Sequence, residues 1–137
     1  MTNRAVVTSS VIFVSDLERS LTFYTEVFGC STALHSHDVA LMLAPGGFQI
    51  YLMAHGSMAT HHSSGIGPHH LIWAVDTAAD LNTVEQALKD HGRRTYTHTS
   101  GGVSFIASTD PDGIRVVVAH PSPATLPRSV ISGRLFN

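Results

Sequence analysis

The stretch VIFVSDLERSLTFYTEVFG, residues 11–29, decides the fold. It is entered through Ser9-Ser10-Val11-Ile12-Phe13-Val14, rich in β-branched and aromatic residues, which reads as a strand. Ser15 or Asp16 then supplies a helix N-cap, and Glu18 falls in the first turn, where a carboxylate meets the positive end of the helix dipole. Leu17, Leu21, Tyr24 and Phe28 recur at helical spacing, so one face of that helix is apolar. Gly29 ends it, because glycine tolerates the left-handed conformation of a C-terminal cap.

The same grammar returns roughly sixty residues later. His70-Leu71-Ile72-Trp73-Ala74-Val75 reads as a strand, Leu81, Val84, Ala87 and Leu88 mark a helix, and Gly92 closes it. Three strand-like stretches follow each helix: 32–37, 39–44 and 48–53 in the first half, 95–99, 103–108 and 114–120 in the second. Each last strand is preceded by a turn signal, Ala44-Pro45-Gly46-Gly47 and Asp110-Pro111-Asp112-Gly113, in which proline pre-sets φ and glycine accepts a positive φ. The prediction is an α+β protein of two tandem βαβββ modules. Module one spans about 5–55, a Ser/Gly/His-rich linker about 56–68, module two about 69–121, and an extended C-terminal arm about 122–137.

With 137 residues, 43% of them apolar, the chain is expected to form one domain. Its net charge of −2, with only eight Lys and Arg scattered along it, gives no electrostatic footprint for nucleic acid or anionic lipid. No apolar run approaches the roughly 20 residues that cross a bilayer, and the start shows no export signal. A lone Cys30 cannot form an internal disulfide, so a cytoplasmic protein is expected. Ten histidines are many for this length and raise the question of a metal.

Residues 11–29, the strand 70–75 and the turn Asp110-Pro111-Asp112-Gly113, in that order on a duplicated chain, resemble the vicinal-oxygen-chelate superfamily of glyoxalases, bleomycin-resistance proteins and extradiol dioxygenases. The resemblance covers roughly residues 9–120 and implies modules whose curved mixed sheets form a cup, with two chains pairing as a homodimer. It also implies four positions for metal ligands, one near the start of each module's first strand and one near the end of each last strand. Here they are Ser9, Tyr51, His70 and Val117. Only His70 is an ordinary ligand, whereas a catalytic divalent ion wants three protein donors and an open position. His35 and His37, two apart on a predicted strand, share a face and would add two donors if that face is the concave one; the alternative places them in solvent on a hairpin.

Alternation along the strands puts Ser9, Val11 and Phe13 on one face with Gln49, Tyr51 and Met53, and His70, Ile72 and Ala74 on one face with Arg115, Val117 and Ala119. The larger aliphatic sets, with Trp73, pack on the helices. A lining of aromatic, thioether and aliphatic surface with a few polar handles suits a small organic ligand, and the expected contacts are Phe13, His35, His37, Gln49, Tyr51, Met53, His70, Ile72 and Arg115. The expected function is therefore small-molecule binding without a cofactor, resembling bleomycin-resistance sequestration proteins. One alternative is a divalent-metal-dependent lyase, isomerase or dioxygenase using His70 with other histidines. Another is a metal-free enzyme in which His70 and Tyr51 do acid/base chemistry on a natural-product intermediate.

Overall fold

The computed structural model describes residues 5–55 and 68–125. The expected linker, apart from Pro68, and the arm beyond Thr125 lie outside these residues, as do His61 and His62. The described chain divides into two compact units, each a βαβββ module.

In the first, β1 (Ser9–Val14) is followed by α1 (Leu17–Phe28), β2 (Ser31–His35), β3 (Val39–Leu43) and β4 (Gln49–Ala54). The strands lie in the order β1-β4-β3-β2, with β1 parallel to β4 and the other pairs antiparallel. A parallel first pair requires a crossover, and α1 with the β2-β3 hairpin provides it. Asp16 is the N-cap, its carboxylate accepting the Arg19 backbone N–H at 3.0 Å. Gly29 terminates the helix at φ 73°. The face α1 buries, Leu17, Leu21, Phe23, Tyr24, Val27 and Phe28, packs on β3 and β4. Opposite it Ala40, Met42, Ile50 and Leu52 are at most 1% exposed. The Phe23 and Tyr24 rings meet edge-on at 5.1 Å, and Phe28 stacks on Tyr24 at 5.9 Å, the offset and T-shaped arrangements aromatic quadrupoles favour.

The second unit repeats the plan with β5 (Leu71–Ala74), α2 (Ala78–Asp90), β6 (Tyr96–Ser100), β7 (Val103–Thr109) and β8 (Arg115–His120), in the order β5-β8-β7-β6. Thr77 caps α2 through a bond from the Asp80 N–H at 3.0 Å. This helix buries only Leu81 and Leu88, so its hold on the sheet is slighter than that of α1. His91 is the C-cap, and Gly92 follows at φ 74°.

The two turns predicted before β4 and β8 are present. The Ala44 and Asp110 carbonyls accept from the Gly47 and Gly113 N–H groups at 2.8 and 3.0 Å, and the outer bonds run from Ala44 N–H to Phe48 O and from Asp110 N–H to Ile114 O, both 2.8–2.9 Å. Asp110 is fully buried, and its Oδ1 accepts from the Asp112 and Ile114 N–H groups at 2.9 Å each, tying the second turn down where Ala44 leaves the first without a side-chain acceptor. No helix of the described residues is long and apolar enough to cross a membrane.

Candidate functional site

Register decides which side chains share a face. Across β1, β4 and β3 the rows Ser9/Gln49/Leu43, Val11/Tyr51/Leu41 and Phe13/Met53/Val39 lie on one side of the first sheet, opposite the buried row residues that meet α1. On this helix-free face Val11 is 57%, Phe13 58% and Met53 37% exposed. Such a run of large apolar groups facing outward is what binding surfaces show, and scattered surface apolarity is not. Polar handles stand among them. Ser9 Oγ donates to Gln49 Oε1 at 3.2 Å, and Tyr51, half-buried, brings a phenol. Beyond the end of β4, His55 stacks on the Phe13 ring at 4.1 Å.

In the second unit the rows Ile72/Val117/Ala107/Tyr96 and Ala74/Ala119/Phe105/His98 share one face. The alternate row Trp73/Val118/Ile106 turns the other way. On the first of these faces Val103, Phe105, Val117 and Ala119 form a buried cluster at 0–2% exposure, while Ile72 remains 40% exposed. His70 immediately precedes β5. Its Nδ1 lies 2.7 Å from Nδ1 of His69, with the rings edge-on. One of these nitrogens donates and the other accepts, so this contact holds only while at least one Nδ1 is unprotonated.

The four metal positions the resemblance implies can now be judged by donor chemistry. In the first unit they hold a hydroxyl already bonded to Gln49 and a phenol; in the second an imidazole in contact with its neighbour and a wholly buried valine. This set does not fit a catalytic divalent ion, since a valine has no donor and a serine hydroxyl competes poorly with water. Among the described residues no group of three or more His, Cys, Asp and Glu is placed to hold a metal.

The expected pairing of His35 and His37 on one strand face is corrected. β2 slips register between Thr32 and Leu34 and ends at His35, and the Ser36 N–H to Val39 O bond of 2.9 Å closes a tight turn that takes up residues 37 and 38. His35, paired with the buried Ala40, turns to the helix side, with its Nε2 2.9 Å from Glu18 Oε1. His37 lies at the turn, 97% exposed, with Nδ1 2.7 Å from Asp38 Oδ1. Neither joins Tyr51 or Phe13.

Arg115 opens β8 opposite Thr109 and borders a cavity of about 640 Å³ formed within the second unit, together with His69, Arg93, Arg94, Tyr96 and Ser108. Burial holds its guanidinium pKa below the usual arginine value. Sequence reasoning named Arg115 and missed its companions. The signal available was the Arg93-Arg94 pair directly after the Gly92 that ends the helix.

The family model described as the Glyoxalase/Bleomycin resistance protein/Dioxygenase superfamily matches residues 6–118. Among solved structures, a glyoxylase/bleomycin resistance protein/dioxygenase domain from Frankia sp. EAN1pec is similar at a TM-score of 0.73 and 24% identity, covering 86% of this chain and 92% of that one. A lactoylglutathione lyase from Agrobacterium tumefaciens is similar at 0.66 and 18%, covering 86% and 95%. The fosfomycin resistance protein FosX from Mesorhizobium loti is similar at 0.69 and 16%, covering 90% and 97%. No curated protein sequence matches.

Proposed function

Since the chain belongs to the glyoxalase/bleomycin resistance protein/dioxygenase superfamily, we propose that it binds a small organic molecule and holds it without a catalytic metal, in the manner of the family's sequestration proteins. The observation that carries this reading is the helix-free face of the first sheet. Val11, Phe13 and Met53 stand exposed there around Tyr51 and Gln49, offering apolar area for affinity and two polar groups for orientation. The donor chemistry at Ser9, Tyr51, His70 and Val117 supports binding over metal-assisted turnover. Similarity to a protein named for fosfomycin resistance agrees with a role in handling a small compound. The protein acts as a homodimer in this proposal, which sedimentation of the purified chain tests directly.

The binding test uses the full chain after dialysis against EDTA and a neutral solvatochromic dye, Nile red. Saturable binding that Phe13→Ala and Tyr51→Ala each weaken supports the proposal. Absence of saturable binding, indifference to both substitutions, or binding that returns only with added divalent metal overturns it.

A further inference from the structure

The cavity beside Arg115 gathers three of the chain's eight basic side chains, Arg93, Arg94 and Arg115, in a protein whose net charge is −2. No Asp or Glu is found among the described residues that line it. A concave site with cations of one sign and no counter-charge in its wall concentrates positive potential, because the low-dielectric walls focus the field.

The arginines come from two places in the module. Arg93 and Arg94 lie in the loop that leaves α2, and Arg115 begins β8. Arg93 Nε donates to the Thr109 carbonyl at 3.2 Å and its Nη2 to Thr109 Oγ1 at 2.8 Å, fixing the plane of the guanidinium. Ser108 Oγ donates to the Arg94 carbonyl at 2.5 Å, pinning the loop to the end of β7. The Arg93 guanidinium, fixed in this way, loses little freedom on binding, and the planar fork of an arginine matches the oxygens of an oxyanion. Arg115, although partly desolvated, keeps its charge at neutral pH, and a cation withdrawn from water interacts more strongly with an anion than an exposed one. Tyr96, 63% exposed, places an aromatic ring at the same cavity.

We infer that this cavity is an anion subsite for a small molecule carrying a phosphate monoester, with the phosphoryl oxygens toward Arg94 and Arg115 and the organic portion against Tyr96. Three cations at one cavity suit a doubly charged tetrahedral group better than a singly charged planar carboxylate. Taking the anion as one end of an organic ligand rests on the small-molecule reading above; the binding of phosphate to the cavity does not.

The test is calorimetric titration of the full, EDTA-dialysed chain at constant ionic strength with inorganic phosphate, phenyl phosphate and acetate, since exposed charges are screened over a Debye length of about 8 Å at physiological salt. The expected result is one saturable site per chain for inorganic phosphate, tighter binding of phenyl phosphate, and none of acetate over the same range. Arg115→Gln and Arg94→Gln should each weaken phosphate by about tenfold, equivalent to about 1.4 kcal/mol. Arg94 is exposed, so its substitution spares the fold even if that of Arg115 does not. Arg19→Gln, on α1 of the other unit, is the control and should change nothing.

No saturable phosphate binding, equal loss in Arg19→Gln, or indifference to both cavity substitutions overturns the subsite. Inorganic and phenyl phosphate bound equally would remove the organic portion from the proposal. Nile red binding that persists while phosphate fails sinks this inference alone; failure of the dye with phosphate retained sinks the broader reading and leaves an inorganic anion site.

Discussion

Glu18 and His35 meet across the first module, Oε1 to Nε2 at 2.9 Å, joining the first turn of α1 to the last residue of β2. The contact shows where the edge strand points its imidazole: toward the helix, away from the face that carries Phe13, Tyr51 and Met53. A histidine offered by the sequence for metal chemistry is thereby used in holding a helix against a sheet edge.

Replacing His35 or His37 by Ala should therefore leave binding of both the dye and phosphate within about twofold of wild type. With side-chain exposures of 76% for Glu18 and 38% for His35, the pair is worth about 0.5 kcal/mol or less. Fluorescence titration and urea denaturation check both halves. A tenfold loss of binding in either variant would return these histidines to the site.

Tyr51→Phe separates two uses of Tyr51. If the ring supplies contact area, the phenylalanine variant keeps dye affinity while Tyr51→Ala loses about tenfold, near the 1.4 kcal/mol of a modest apolar contact. Equal losses in the two variants would assign the role to the hydroxyl. Phe13 is already 58% exposed, so Phe13→Ala should cost little stability, in contrast to Phe23→Ala in the core, expected at about 3–5 kcal/mol.

Burial pushes the Cys30 thiol up to about 11 from 9.0. The folded state thus keeps its proton through a range in which the unfolded chain loses it, and the linked stability is present below pH 9 and lost as pH rises toward 11. The loss is on the order of 2 kcal/mol. Denaturation of wild type at pH 8 and at pH 10.5, compared with Cys30→Ala, measures it as the part of the pH dependence that the substitution removes. The same thiol should react only slowly with alkylating reagents at pH 7.5, and rapid labelling would contradict its burial.

Asp110→Ala should destabilise the second module by about 3 kcal/mol, because it strips two half-buried backbone N–H groups of a carboxylate acceptor. Gly113→Ala, at φ 83°, should cost about 1 kcal/mol through left-handed strain. Amide hydrogen exchange would place both effects in β7 and β8. Uniform loss of protection across the chain would show instead that the turn governs both modules together.

The modules were legible because their signals are local. Asp16 caps a helix whose apolar spacing is visible in the chain, Gly29 and Gly92 stop helices where only a positive φ will do, and each Pro-containing turn places the strand after it. Strand alternation also placed Ser9, Phe13, Gln49, Tyr51 and Met53 on one face, as the register confirms. The side of His35 was not legible. A register slip of β2 between Thr32 and Leu34, together with a turn that consumes His37, depends on how the edge strand settles against β3, and period-two counting assumes an unbroken strand. The cluster around Arg115 escaped for another reason, since Arg93 and Arg94 lie more than twenty residues before Arg115 and only the folding of β6 to β8 brings them together.

The amino-acid sequence by itself determined the two βαβββ modules, their caps and turns, and the residue types that stand along each strand. These depend on interactions within a few residues or on side-chain identity alone. Tertiary structure decided that Val117 is sealed in a core, that His35 serves α1, and that Arg93 and Arg94 reach the cavity of Arg115. Each of those outcomes is set by which strand lies beside which and in what register, a matter of long-range packing that no short stretch of chain encodes.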